Sequence, residues 1–232
     1  MKLIYLCLLA LSTQAMAQLY SPSSTDISES EAAKLFEVLK KENARMDEKS
    51  ECFERAHMWA LRAENNHQIK MEKVYLFFTY KFQMRHRVTS RFGRPFTWWF
   101  HVAPAVRVNG ELMVMDATFN DKPETVNDWA RSLMKEPEDC VEMENREQYA
   151  EDRNISEGYR RTNLTKNQCY YIAAPRFFYQ PLEMGFAELN GGVMHVNDPL
   201  PEPTEWRPNT FFWALNSYKR SERREVRQEI GF

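Results

Sequence analysis

The dipeptide Asn109–Gly110 stands between two apolar, β-branched stretches and is the feature that most restricts the fold. Asn-Gly is the strongest short-range signal for a two-residue hairpin turn, because both residues tolerate the positive φ angles of such a turn. The flanking stretches 98–108 and 111–119 are therefore predicted to be antiparallel strands. A two-residue turn also sets the register, with Val108 opposite Glu111.

The same register places a histidine and an aspartate on one face of the hairpin. Counting outward from the turn, Asp116 lies opposite Ala103. His101 lies opposite Thr118, so His101 and Asp116 are diagonal neighbours, about 7–8 Å apart at the backbone. This separation suits an imidazole hydrogen-bonded to a carboxylate, which fixes the tautomer of the ring and stabilises its protonated form. The alternative is that His101 is a hydrogen-bonded core histidine without a chemical role.

Helical patterns precede the hairpin. A Ser-x-x-Glu capping box at 28–31 opens an i, i+3, i+4, i+7 apolar pattern, and a second helix is predicted over 50–63, with a stop signal at 65–66. The stretch 74–82 (VYLFFTYKF) predicts a buried strand. The acidic segment 121–152 predicts an exposed helical region. Together these elements predict an α+β fold in which N-terminal helices pack on an antiparallel sheet.

Cys52 lies in the first turn of the second predicted helix. Free backbone N–H groups and the positive end of the helix dipole favour a thiolate there, whereas Glu51 and Glu54 oppose it. For an arbitrary cysteine, a buried inert thiol or a disulfide partner is the more common role. Together with His101 and Asp116, however, the thiol completes a nucleophile, a base and an orienting carboxylate for acyl transfer.

Composition and the N-terminus restrict the class and the compartment. The net charge of −2 and the pI of about 6.3 argue against a nucleic-acid partner. The chain has no HExxH and no paired CxxC, so neither a metal nor another cofactor is expected. Residues 1–17 combine a basic start, a short apolar run and an Ala-Met-Ala end, the pattern of a secretory signal peptide. The run is too short to span a bilayer, so we expect an exported protein, periplasmic or secreted, without stable membrane insertion.

Three short strings, in this order, resemble the bacterial protein glutaminases: 52–57 (CFERAH), 99–104 (WFHVAP) and 115–116 (MD). The resemblance covers about 35–129. It implies a papain-like, transglutaminase-like core with a Cys-His-Asp triad. It also implies an enzyme that hydrolyses the side-chain amide of protein-bound glutamine, giving glutamate and ammonia.

By that resemblance Cys52 is the nucleophile, His101 the base and then the acid, and Asp116 the orienting carboxylate. Two positions depart from the family pattern, which often has Gly before the cysteine and Pro after the aspartate. This chain has Glu51 and Ala117 there. The departures concern the detailed shape of the pocket more than the triad.

The sequence also suggests roles for two tryptophans and two cysteines. Trp98 and Trp99 are candidates for lining the substrate cleft, although core packing is an equally good explanation. With Cys52 assigned as the nucleophile, Cys140 and Cys169 are the remaining pair outside the signal segment. We therefore expect a disulfide between them.

The predicted organisation is a signal peptide (1–17), a flexible leader (18–27) and a single domain (28–232). Within the domain, the catalytic core covers about 28–130, followed by an acidic and aromatic part, 131–232. The expected partners are proteins or peptides that carry glutamine. A transglutaminase, a cysteine peptidase or amidase on the same fold, and a non-catalytic binding module remain the alternatives.

Overall fold

The computed structural model describes residues 24–42, 52–88, 100–142, 168–176 and 220–229. These residues form seven strands, β1 (Asp26–Ile27), β2 (Glu72–Phe78), β3 (Phe100–Val108), β4 (Glu111–Val114), β5 (Glu124–Thr125), β6 (Val141–Glu142) and β7 (Cys169–Pro175). They also form five helices, α1 (Glu29–Glu42), α2 (Cys52–His67), α3 (Tyr80–His86), α4 (Val126–Ser132) and α5 (Arg220–Glu229). The α+β class predicted from the sequence is confirmed.

The strands form one sheet in the order β5-β4-β3-β2-β7-β6, and β1 pairs in parallel with the end of β3. The neighbours from β5 to β7 pair antiparallel, and β6 lies parallel to β7. All seven residues of β2, which lies between β3 and β7, are buried. This burial on both faces explains why 74–78 is a continuous apolar run rather than an alternation.

The hairpin has the predicted turn and register. Asn109 and Gly110 adopt φ angles of 52° and 84°, and Val108 pairs with Glu111. Gly110 takes this left-handed conformation without steric cost because it has no Cβ. The second strand is shorter than predicted, however, since β4 ends at Val114 instead of continuing to Phe119.

The capping box at the start of α1 forms as predicted. The backbone N–H of Ser28 donates to Oε2 of Glu31 at 2.9 Å, and the N–H of Glu31 donates to Oγ of Ser28 at 3.3 Å. The Asn65–Asn66 pair does not stop α2, which continues to His67. It is Gln68, in the left-handed region with φ of 59°, that ends the helix.

The strand predicted over 74–82 is wrong beyond Phe78, where α3 begins instead. Thr79 is the N-cap of α3, and its Oγ1 accepts a hydrogen bond from the Phe82 backbone N–H at 3.3 Å. A threonine that caps a helix competes with continuation of the strand, and here the cap prevails. Residues 83–86, which follow the predicted strand, are therefore part of a helix.

The sheet has an apolar cluster on each face. On one face, α1 and α2 cover β3 with residues such as Phe36, Leu39 and Trp59. On the other face, Phe78 and Trp129 belong to a cluster that also contains Cys140 and Cys169. The predicted packing of N-terminal helices on the sheet is observed for the first of these faces.

The acidic segment 121–152 is described up to residue 142, and that part is only partly helical. It contains β5, α4 and β6, and α4 buries Val126, Trp129 and Ala130. The predicted exposed helical region is therefore wrong for α4, because the apolar residues among the acidic ones face the core. Residues 143–152 lie outside the described residues. None of the helices in the described stretches is both long and apolar enough to cross a membrane.

The end of the predicted leader is tied to the sheet. Asp26 and Ile27 form β1, and Oδ1 of Asp26 accepts a hydrogen bond from the Gly110 backbone N–H at 3.0 Å. The backbone N–H of Ser24 donates to Oε1 of Glu72 at 2.8 Å. Residues 24–27 thus hold the hairpin turn and the start of β2 together.

Candidate active site

Cys52 lies in the first turn of α2 and has a free thiol, in a residue that is 3% exposed. Backbone N–H groups in the first turn of a helix have no carbonyl partner within the helix. The positive end of the helix dipole favours an anion at the same place. The position therefore suits a thiolate, and the N–H groups suit a developing oxyanion.

A hydrogen bond joins His101 to Asp116, with 2.7 Å between Nε2 and Oδ2. His101 is fully buried and Asp116 is 5% exposed. Asp116 accepts two more hydrogen bonds, from the Thr118 backbone N–H to Oδ1 at 3.2 Å and from Trp129 Nε1–H to Oδ2 at 3.1 Å. Three donors thus hold the carboxylate in one orientation.

Asp116 reaches His101 from a turn, not from a strand. Because β4 ends at Val114, the predicted cross-strand position opposite Ala103 is not occupied. The carbonyl oxygen of Asp116 accepts a hydrogen bond from the Asn120 backbone N–H at 2.8 Å, while its own side chain caps the turn. Aspartate side chains commonly bond to the backbone two residues on, and this local bond ended the strand.

The thiol of Cys52 lies near enough to His101 to help raise the pKa of the ring. Because Asp116 occupies Nε2, the ring nitrogen left for the sulfur is Nδ1. The ring of Phe119 meets the imidazole edge to face at 4.9 Å, and the Trp129 ring lies tilted at 5.5 Å. The structure thus brings the three predicted triad residues into one series, sulfur to imidazole to carboxylate, with the imidazole held between aromatic rings.

The charges and hydrogen bonds of neighbouring groups, rather than burial, determine the protonation states of His101 and Asp116. Burial alone would lower the pKa of His101, but the charge and hydrogen bond of Asp116, with those of Cys52, raise it to about 9. Burial would raise the pKa of Asp116. The His101 charge and hydrogen bond, the Arg55 charge and the Trp129 hydrogen bond together hold the pKa of Asp116 below its usual value. An imidazolium beside a carboxylate is the favoured state near neutral pH.

Two residues of this cluster were not assigned to it from the sequence. One of them is Trp129, whose indole N–H bonds to Asp116. Its signal was that a buried tryptophan usually finds an acceptor for its N–H. Arg55, one helical turn after Cys52, is buried and acts on Asp116 through its charge. A buried arginine in an apolar helix stripe requires an anion nearby, which is the signal that could have identified it.

A second buried polar group lies along α2, outside the triad. His57 and Lys73 are both fully buried. Nδ1 of His57 donates to the Arg176 carbonyl oxygen at 3.0 Å, and Nζ of Lys73 lies 3.3 Å from the same nitrogen. Burial first, and then the charge of Lys73, lower the pKa of His57 well below its ordinary value.

The other predicted site residues have separate positions. Trp98 and Trp99 lie outside the described residues. A disulfide joins Cys140 to Cys169 and ties the segment after α4 to β7. Within the described stretches, no three His, Cys, Asp or Glu side chains lie close enough together to hold a metal ion.

The comparisons with known proteins give one finding. Residues 31–133 match a family model described as Glutaminase. No curated protein and no solved structure is similar enough to count as a match. The matched range contains Cys52, His101 and Asp116, and it ends just after α4.

Proposed function

We propose that this protein is an exported protein-glutamine glutaminase, because residues 31–133 match a family model described as Glutaminase. It hydrolyses the side-chain amide of protein-bound glutamine to glutamate and ammonia. The family match supports a deamidase, an amidohydrolase with a protein substrate, in general terms. The observation that carries the finer proposal is the arrangement of three side chains, in which His101 hydrogen-bonds to Asp116 and interacts with the thiol of Cys52.

In the first half-reaction, the Cys52 thiolate attacks the carbon of the glutamine carboxamide. Backbone N–H groups of the first turn of α2, including that of Cys52, bind the oxyanion. The C–N bond then breaks, and protonated His101 gives its Nδ1 proton to the leaving nitrogen, which departs as ammonia. The product on the enzyme is a thioester.

In the second half-reaction, neutral His101 takes a proton from a water molecule that attacks the thioester carbon. The C–S bond breaks, so glutamate leaves, and the thiolate and imidazolium are restored. An amine in place of water would form a cross-link. The outcome therefore depends on what reaches the thioester, and the His101–Asp116 pair serves both reactions equally.

The fold proposal follows the same resemblance. We propose a papain-like, transglutaminase-like core in a single domain, 28–232, whose C-terminal part starts near 131. The placement of Cys52 in the first turn of a helix that packs on an antiparallel sheet supports this proposal. So does the position of His101 near the beginning of β3.

The proposed compartment is outside the cytoplasm, in the periplasm or beyond. Its supports are the signal-like sequence of 1–17 and the disulfide between Cys140 and Cys169, which persists in oxidising surroundings. N-terminal sequencing of the protein recovered outside the cytoplasm should begin at Gln18. Thiol counting on the denatured, non-reduced protein should find one free thiol, and three would contradict the proposed disulfide.

The activity is tested on a denatured, glutamine-rich protein, with free glutamine in parallel. We expect ammonia release and the small mass gain of amide-to-acid conversion on the protein substrate. Cross-linked polymers would indicate a transglutaminase, and fragments a peptidase. Absence of any product, together with slow alkylation of Cys52, would favour the binding module.

Cysteine dependence needs its own control. Cys52→Ser should abolish ammonia release while leaving the fold intact, because a serine hydroxyl is a much weaker nucleophile at this position. Cys52→Ser retaining full turnover would end the proposal. A suitable control is Met84→Gln, at an exposed methionine of α3, which should retain the parent activity.

A further inference from the structure

A small cavity lies between α2 and the turn that carries Asp116. Arg55 and Trp59 line it from α2, and Asp116 and Thr118 line it from the turn. Its volume is about 10 Å³, which corresponds to space for one water molecule. The cavity is thus adjacent to the carboxylate that holds His101.

Two polar groups of this lining are unmatched. Within the described part of the chain, neither Nε1–H of Trp59 nor Oγ1 of Thr118 has a hydrogen-bond partner. Trp59 is 1% exposed and Thr118 is 6% exposed, so bulk solvent does not reach either group. Buried polar groups without a partner are rare and costly, and the two residues that carry these groups line the same cavity, which points to a shared ligand.

Asp116 has room for the same ligand. An ionised carboxylate offers about four acceptor positions. His101 and Trp129 bond to Oδ2, and the Thr118 backbone N–H bonds to Oδ1. One acceptor position on Oδ1 is left over.

We propose that this cavity holds one resident water molecule that links Trp59, Thr118 and Asp116. The water accepts a hydrogen bond from Nε1–H of Trp59, shares one with Oγ1 of Thr118, and donates to Oδ1 of Asp116. Three bonds are what a buried water typically makes. Trp59 and Thr118 are therefore positioning residues that act on His101 through Asp116, a role that rests on the proposed function.

The charges around the cavity select water over an ion. The carboxylate of Asp116 disfavours an anion, and the guanidinium of Arg55 disfavours a metal cation. The charged groups that act on Asp116 are Arg55 from α2 and His101 from β3, and α4 contributes only the neutral indole of Trp129. A neutral molecule with two donors and two acceptors fits this lining.

The first test is a high-resolution crystal structure of the parent protein. We expect one ordered water within hydrogen-bond distance of Trp59 Nε1, Thr118 Oγ1 and Asp116 Oδ1. A dry cavity would overturn the proposal, and so would a water bonded to none of these atoms. This result does not depend on any enzymatic activity.

The second test measures the pKa of Asp116 by ¹³C NMR of its carboxyl carbon. Thr118→Val keeps the side-chain shape and removes the hydroxyl, so the water loses a partner and the anion loses part of its fourth donor. The pKa of Asp116 should rise by about one unit. Thr118→Ser should restore the parent pKa, and Met115→Leu, on the same cavity but without a hydrogen-bonding hydroxyl, should leave it unchanged.

Equal pKa values in Thr118→Val and the parent would overturn the role assigned to the water. A rise shared by Met115→Leu would also overturn it, since it would come from repacking. If the protein is a deamidase, the acidic limb of kcat/KM should move to higher pH in Thr118→Val and not in Thr118→Ser. A protein with the pKa shift but no deamidase activity would keep this inference and reject the proposed function.

Discussion

Two fully buried histidines in the described part of the chain, His101 and His57, have pKa values that are shifted in opposite directions. The pKa of His101 is raised to about 9, and the pKa of His57 is lowered well below its ordinary value. Burial opposes the charged form of both rings, so burial does not explain why the two pKa shifts differ in sign. The reason is the neighbour: His101 faces the carboxylate of Asp116, whereas His57 faces the ammonium of Lys73. The imidazole of His101 therefore favours the protonated form near neutral pH, and the imidazole of His57 favours the neutral form.

The largest expected effect is on activity, and it should distinguish the ring of His101 from the ring of His57. His101→Gln keeps a donor for Asp116 but removes the group that exchanges protons, so ammonia release should fall by at least about 10⁴-fold. His57→Asn keeps a donor at the position of Nδ1 and should retain activity within a small factor. The His57→Asn substitution should instead lower the free energy of unfolding by about 1–3 kcal/mol. Comparable losses of activity in both variants would contradict the distinction, provided that circular dichroism shows both to be folded.

The next effect comes from changing the neighbour instead of the ring. Asp116→Asn removes the negative charge, so the pKa of His101 should fall from about 9 and the imidazolium should no longer persist at neutral pH. Activity should fall by about 10³-fold. NMR titration of His101, read beside ammonia release, checks both parts. An unchanged pKa would mean that Asp116 is not the source of the raised value.

The contrast between these histidines could be predicted in part from the sequence. The Asn109–Gly110 turn correctly set the hairpin register, and the pairing of His101 with Asp116 was expected from it. Asp116 reaches His101 from a turn after Val114, whose backbone its carboxylate caps, and not from the predicted position on a strand. Local side-chain bonds of this kind compete with strand pairing and are not visible in an alternation pattern.

The surroundings of His57 could not be predicted, because they depend on contacts distant in sequence. Lys73 lies on a strand that reads as apolar, and a lysine there is expected to be exposed. Its burial follows from the position of β2 between two strands and under α2. The carbonyl of Arg176 comes from 119 positions further along the chain than His57. Periodicity reports which face of an element is buried, not which distant group meets it.

A smaller effect is expected in the way the free energy of unfolding depends on pH. His101 and His57 contribute to stability over opposite pH ranges. The folded pKa of His101 exceeds its unfolded value of 6.5, so its contribution is full below pH 6.5 and is lost as the pH rises through about 9. The folded pKa of His57 is depressed, so its contribution is present above pH 6.5 and is lost as the pH falls.

Denaturant unfolding across this pH range should therefore show two separable losses of stability. His101→Gln should remove the loss on the alkaline side, and His57→Asn the loss on the acidic side. Activity should follow the alkaline loss, falling about tenfold per pH unit above pH 9 as the general acid deprotonates, and should show no loss that depends on His57. An alkaline loss that survives in His101→Gln would assign it to another group.

The smallest effect tests how much of the His57 shift comes from its charged neighbour. Lys73→Met removes the ammonium and keeps the length of the side chain, so the His57 resonance should titrate at higher pH than in the parent protein. The rise should be modest, about one pKa unit or less, because burial is the larger cause and stays in place. His101 in the same NMR sample is the internal control and should still titrate near pH 9. If His57 instead recovers its ordinary pKa, burial is not the main cause. The two rings would then differ only by the sign of one neighbouring charge.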